Sequence, residues 1–327
     1  MANMIAQNFD AKLHRAPWSK FSREGFELID KVHSTSLNVE PSSNALETDI
    51  IYGGFGAVPR VASDTVQTPL VDFQISPKVV YRHDEYRYKY VYTKVAADDD
   101  QYGAVTDVIG TMGEGAAFRM ETVAAELFNL GEDATAFATW DGQPIFSAIH
   151  ELVGSGQTYS NITAAGGPTF AQLQIIYSYF KRVLNDQGFW VPVEIESIQT
   201  SPEMAPLWRQ LLAANSAYNT LAYTAGTGGG ASYTTAPADN TQPNPGIPNV
   251  YRGLGLTPDK VVENVYLENV DDTYVVGRGK KFYMYVREAP NTDTYNIDDP
   301  KAMAHRIQMR FSVGATDARR VLKIPGT

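Results

Sequence analysis

Asp141, Ser147 and His150 lie close together in the chain and have the residue types of an orienting acid, a nucleophile and a base, the set that hydrolyses esters and amides. Such a nucleophile usually stands on a G-x-S-x-G elbow, and no glycine frames Ser147 in that way, so a hydrolase reading has little support. Gly226, Gly228, Gly229 and Gly230 offer backbone amides to a phosphate. No Lys–Ser or Lys–Thr follows them and no apolar strand leads into a helix there, which favours a flexible loop. The histidines His14, His33, His83, His150 and His305 show no pair at helical or finger spacing that would hold a metal. Asp98, Asp99 and Asp100 are consecutive, without the alternation of a calcium loop, and suit a solvated helix start.

One more pattern has chemical potential. From Tyr86 to Lys94 the chain alternates, with Tyr86, Tyr88, Tyr90 and Tyr92 on one face and Arg87, Lys89 and Val91 on the other. Aromatic sheet faces can stack single-stranded bases. Here the strict period also fits a packed face, and the chain as a whole is acidic, with 27 Lys plus Arg against 37 Asp plus Glu and a formal charge of −10. That balance argues against a surface evolved to neutralise phosphates. No catalytic residue, cofactor or metal is assigned, and neither sequence-specific nucleic-acid binding nor a membrane partner is expected.

The elements that would position any site follow from length and pattern. A chain of 327 residues, 43% hydrophobic and 20% charged, can bury one large core or two modest ones. It has no cysteine, which excludes disulfides and thiol chemistry. Residues 1–15 lack the apolar core of a signal peptide, and no later run has membrane-spanning length. Up to about Asp49 the pattern is irregular, with anchors such as Trp18 and Phe21, and reads as an extended arm or a loose tail. Ile50 to Ala97 carries strong strand signals punctuated by Gly53, Gly54, Gly56, Pro59, Pro69 and Pro77.

A helix is predicted over Tyr102 to Gly131, with a bend or break at Gly110, Gly113 and Gly115 and an apolar stripe of Ala117, Met120, Ala124, Leu127 and Phe128 beyond it. Thr169 and Gln172 have capping-box spacing before a helix carrying Leu173, Ile176, Phe180 and Leu184, with Gly188 after its last turn. Trp190 to Thr200 reads as a strand, and Ser201–Pro202 opens another helix carrying Trp208 and Leu212. Gly226 to Pro248 reads as a long surface loop. Strands are predicted over Lys260–Leu267, Tyr274–Val276 and Lys281–Arg287, and over Ala304–Val313 with Ile307, Met309, Phe311 and Val313 on one face.

Five segments in order resemble the major capsid proteins of tailed double-stranded DNA bacteriophages. They are YTKVAADDDQYGAV (Tyr92 to Val105), ETVAAELFN (Glu121 to Asn129), WDGQPIFSAIHELVGSGQTYSN (Trp140 to Asn161), NPGIPNVYRGLGLTPDKV (Asn244 to Val261) and HRIQMRFSVGATDARRV (His305 to Val321). The resemblance implies an α+β chain with the Hong Kong 97-like (Johnson) capsid fold. Residues 1–49 would be an N-terminal arm, 50–91 an extended β-hairpin loop, 92–166 with 280–327 a peripheral domain holding a long helix, and 167–279 an axial α/β domain.

It further implies a subunit that builds pentamers and hexamers of an icosahedral head around DNA, with an encapsulin-like nanocompartment shell as the alternative. Expected inter-subunit contacts of hairpin and arm are Trp18, Phe21, Phe55, Arg60, Val66, Leu70 and Phe73. Gly110, Gly113 and Gly115 would let the helix flex, and Gly228, Gly229 and Gly230 would lie in the axial loop. The expected partners are further copies of the chain, a separate scaffolding protein, a portal and a decoration protein. The expected location is the virion capsid, after assembly in the host cytoplasm.

Overall fold

The computed structural model describes residues 20, 22–54, 74–93, 95–96, 99, 103–213, 251, 254–297 and 302–326. Its strands are β1 (Asn38–Pro41), β2 (Leu46–Asp49), β3 (Val79–Arg82), β4 (Asp84–Thr93), β5 (His150–Glu151), β6 (Thr158–Tyr159) and β7 (Val183–Leu184). After these come β8 (Trp190–Val191), β9 (Ile195–Thr200), β10 (Val261–Glu263), β11 (Thr273–Gly277), β12 (Lys281–Asn296), β13 (Ala302–Asp317) and β14 (Val321–Ile324). The helices are α1 (His33–Ser36), α2 (Ala104–Asn129), α3 (Phe170–Lys181) and α4 (Ala205–Ala213), and residues 22–28 are also helical.

Two compact units result, one of Met1–Tyr52, Ile75–Ile145 and Lys281–Asp317, the other of Gly53–Gln74, Phe146–Lys280 and Ala318–Thr327. Residues 146–166 and 318–327, expected in the peripheral domain, thus fall with the expected axial residues. The reason is pairing: Lys323 N–H donates to the Asn161 carbonyl at 2.9 Å, Thr163 N–H donates to that of Lys323 at 3.0 Å, and β14 pairs with β11.

In the first unit a four-stranded sheet has the order β1-β12-β13-β4. The alternation of β13 turns Met303, Ile307, Met309 and Phe311 inward and leaves Arg306, Gln308 and Arg310 partly exposed, as a half-buried strand requires. Antiparallel pairing sets Met303 beside Tyr92, Ile307 beside Tyr88 and Met309 beside Tyr86, so the tyrosine stripe shares the buried face. Ile109, Met112, Ala116, Met120, Ala124 and Leu127 recur at helical spacing on α2 and are all buried. Fully burying each large side chain of that stripe contributes roughly 1.5–3 kcal/mol.

β12 runs well past the expected Arg287, reaching Asn296. Pro290 lacks an N–H and Asn291 and Thr292 are polar, which hid the second half of the strand. Register shifts between Val286 and Glu288 and between Glu288 and Asn291 take Ala289 and Pro290 out of the ladder, after which pairing resumes.

The break expected in the long helix is absent: α2 continues through Gly110, Gly113 and Gly115. The glycines serve close approach instead. A Cβ on Gly113 would collide with the Ser22 carbonyl and stand 2.9 Å from the Phe26 nitrogen, and one on Gly25 would collide with the Gly110 carbonyl. A Cβ on Gly115 would meet the Tyr88 hydroxyl at 2.7 Å. Helix 22–28 therefore lies against α2 with its backbone nearly touching. Residues 22–41, expected as an arm or tail, dock on their own unit, where β1 adds in parallel to β12.

The second unit has the sheet β10-β9-β11-β14 with α3 and α4 packed against it. Ile195, Ile198, Val275 and Leu322 of the sheet form one core with Leu173, Ile176, Phe180, Trp208 and Leu212 of the helices. Thr169 caps α3 by accepting the Gln172 N–H at 3.2 Å. The helix stops at Lys181, before Leu184. Val183 and Leu184 form a hairpin with Trp190 and Val191, and Gly188, at φ +81°, sits in the hairpin turn instead of capping α3.

Gly113→Ala should lower unfolding free energy by about 1–3 kcal/mol, as overpacking does. Gly110→Ala, whose Cβ would enter open space, should be neutral or raise it by up to about 1 kcal/mol. Denaturant melts of the two variants check this, and equal destabilisation would contradict the close-approach account.

Candidate functional site

β2 and β3 form an antiparallel ribbon from Leu46↔Arg82 to Asp49↔Val79. Tyr52 and Ile75 bridge beyond it, Ser76 N–H donates to the Ile51 carbonyl at 2.9 Å, and Ile51 N–H donates to the Ser76 hydroxyl at 2.8 Å. Cross-strand partners share a face. One face of the ribbon therefore carries Glu47, Asp49, Val79 and Tyr81, and the other carries Leu46, Thr48, Val80 and Arg82. Leu46 and Val80 are exposed, as are Tyr52 at 60% and Ile75 at 54%.

The first face is fastened to the sheet. Tyr81 is buried, and its ring lies where a Cβ on Gly314 would stand only 2.8 Å from the ring atom Cδ1. It also packs at 5.2 Å against Tyr285. Its hydroxyl lies 2.5 Å from Thr316 Oγ1, which in turn donates to Asp49 Oδ2 at 2.7 Å. Thr316 has one proton and spends it on Asp49, so Tyr81 is the donor in the first bond. Burial pushes the Tyr81 phenol far above its ordinary range and keeps that proton in place.

His83 makes the second fastening. Its Nε2 lies 3.0 Å from Ser42 Oγ and its Nδ1 3.1 Å from Ser312 Oγ, while Ser42 donates to Glu47 Oε1 at 2.6 Å. Burial, and then the nearby Arg310 charge, hold the His83 ring below the usual histidine range, so it works as a neutral donor and acceptor. The bond from Ser42 likewise lowers the Glu47 carboxyl. In the second unit, Gly53 N–H donates to the Gln74 carbonyl at 2.8 Å, and Gln187 Nε2 donates to that of Gly54 at 2.6 Å.

Trp18, Phe21, Phe55, Arg60, Val66, Leu70 and Phe73, the expected contact residues, lie outside the described residues, as do Gly228, Gly229 and Gly230. Gly110, Gly113 and Gly115 stand together on α2 and meet helix 22–28 and Tyr88. The residues considered for hydrolysis are engaged locally. Ser147 N–H donates to Asn161 Oδ1 at 2.9 Å, Asp141 accepts from the Gln143 N–H at 3.2 Å, and His150 is buried and stacked on Tyr159. Among the described residues no cluster of histidine, aspartate and glutamate could hold a metal ion.

The tyrosine stripe takes part in packing, with Tyr92 buried, Tyr86 and Tyr90 half-buried and Tyr88 47% exposed. The Tyr88 hydroxyl donates to the Met112 carbonyl at 2.6 Å, and Tyr86 stacks on Phe311 beneath the Arg119 guanidinium. The ribbon anchors Asp49, Tyr81, His83 and Thr316 were not singled out from the sequence. One cue was present: Gly314 interrupts an otherwise alternating strand, and a lone glycine there marks a close approach.

A family model described as phage capsid protein matches residues 77–324. The mature capsid of bacteriophage PhiM1 is similar at a TM-score of 0.56 and 11% identity, over 91% of this chain and 88% of that one. A structure of Microbacterium phage Oxtober96 gives 0.52 and 11%, over 91% and 92%. The virus-like particle from Pyrococcus furiosus gives 0.54 and 7%, over 95% and 99%. No curated protein matches the chain by sequence. With most of its length matched by the family model, the chain belongs to the phage capsid protein family. It has the Hong Kong 97-like fold, and it is a structural major capsid protein of the virion shell.

Gly314→Ala should force the Tyr81 ring out and cost about 1–3 kcal/mol. Tyr81→Phe, which loses one hydrogen bond, should cost about 0.5–1.5 kcal/mol. Urea titrations rank the two, and the reverse order would argue against the ring's seat at Gly314.

Proposed function

We propose that this chain is the repeating subunit of pentamers and hexamers in an icosahedral head that encloses double-stranded DNA, and that it catalyses no reaction. The observation that carries the reading is a ribbon fixed on one face and exposing Leu46 and Val80 beside Thr48 and Arg82 on the other, in a chain of capsid family. Leu46, Val80 and Ile75 leave exposed apolar surface, and exposed ribbons of this kind add to a neighbour or aggregate. Of the hairpin expected over Ile50 to about Tyr90, residues 79–90 stay on their own unit, and the part before them lies over an adjacent subunit. Residues ahead of the docked helix 22–28 make the remaining arm and reach a second neighbour.

Closed symmetry lets one set of contacts build the whole shell. A subunit held by several neighbours gains through effective concentration, so each contact can be weak and assembly remains correctable. The acidic balance of the chain suits a wall that does not grip the genome. A separate scaffolding protein, a portal and a decoration protein complete the particle, which assembles in the host cytoplasm.

The test is electron microscopy of the expressed full chain beside a variant lacking residues 55–73. The full chain should form closed shells. The variant should remain folded by circular dichroism and form none. Normal shells from the deletion would refute the hairpin's role. Native particles filled with enzyme in place of DNA would turn the reading toward a nanocompartment.

A further inference from the structure

Two buried histidines hold the N-terminal segment of the first unit, His305 through Ser22 and His33 through Glu121. His305 on β13 is fully buried. Its Nε2 lies 2.9 Å from Ser22 Oγ on helix 22–28, and its Nδ1 lies 2.9 Å from Thr294 Oγ1 on β12. The Ser22 hydroxyl donates to the Ile109 carbonyl of α2 at 3.2 Å. Its single proton is thereby spent, so its oxygen accepts from Nε2–H, and the Thr294 hydroxyl meets Nδ1 as donor to a neutral ring or acceptor from a charged one. The ring is fully buried between helix 22–28 and the sheet, where a charge is costly.

Further along, Glu121 in the middle of α2 takes both donors of His33. The His33 N–H reaches Oε2 at 2.9 Å and ring Nδ1 reaches Oε1 at 2.5 Å, with both side chains buried. Between these two points the backbones come close at Gly25 and Gly113. Charged or titratable groups facing His305 are few. Among the described residues Asp293 on β12 is the one charged group whose field reaches the ring, and Tyr90 on β4 stands beside it in register. Helix 22–28 contributes only the Ser22 hydroxyl and α2 only a carbonyl.

We propose that residues 22–36 are a detachable clasp on the long helix, closed while His305 is neutral and opened when it takes a second proton. A charged ring would stand fully buried with only two hydroxyl oxygens to accept its N–H groups and no carboxylate among its hydrogen-bond partners, and the segment would leave to let water in. Burial already holds the His305 ring below the usual histidine range, with Asp293 opposing it weakly. The docked state thus binds fewer protons than the open one, and opening is favoured as pH falls below about 6.5. The clasp rests on the shell-building reading only for its use: a chain that fills several symmetry-distinct positions gains two arrangements of its N-terminal segment from one sequence.

Hydrogen exchange read by mass spectrometry on the unassembled full-length chain tests this, with rates corrected for intrinsic pH dependence. Amides 22–36 should exchange at least tenfold faster at pH 5.5 than at pH 7.5, while amides 120–128 of α2 stay unchanged. His305→Gln, neutral at every pH, should abolish the difference. Ser22→Ala, which leaves the sheet intact, should bring the pH 7.5 rate to the native pH 5.5 level. Equal native rates at the two pH values, a pH response kept by His305→Gln, or full protection in Ser22→Ala would each overturn the proposal. None of these readouts depends on whether the chain forms shells.

Discussion

The first unit depends on one strand, β13, which is hydrogen-bonded along both edges and covered on both faces. β12 and β4 take its edges. The long helix covers the face carrying Met303, Ile307 and Met309, and Tyr81 covers the other face at Gly314. An antiparallel strand more often keeps one face in water. Here Arg306, Gln308 and Arg310 keep that habit in the middle of the strand, and Gly314 to Asp317 abandon it where the ribbon is fastened. The same strand therefore closes the core and aims the segment proposed to reach a neighbour, and a change in either face is felt at the other.

Much of this was legible because the pattern had a clear period. The β4 tyrosines and the β13 apolar residues announced their faces, and the register of Met309 beside Tyr86 unites the two stripes. The capping threonine of α3 was legible from spacing alone. Segments without a period were misread. β1 is a polar edge strand with three of four residues exposed, so its sequence carries no burial signal. The far half of β12 is disguised by Pro290, which the bulges remove from the ladder.

The glycines of α2 illustrate a different kind of ambiguity. A glycine inside a helix costs stability, and the sequence cannot say what is gained in return. A bend was expected, whereas Gly113 and Gly115 make room for the Ser22 backbone and the Tyr88 hydroxyl. Both readings follow from the missing Cβ, and only a partner 91 residues away in sequence (Ser22 against Gly113) decides between them. The ribbon anchors were hidden for the same reason: Asp49, Tyr81 and Thr316 have no local pattern and meet only after β2, β3 and β13 are in place.

β4 lies at the margin of its sheet and leaves a ten-residue outer border, with Arg87 and Lys89 standing on its solvent side. Such a border is a template on which a stray chain can crystallise, and cationic side chains discourage it by repelling a second identical strand. A second copy of β4 laid along this border would bring its own arginine and lysine against these, so like charge works against pairing there.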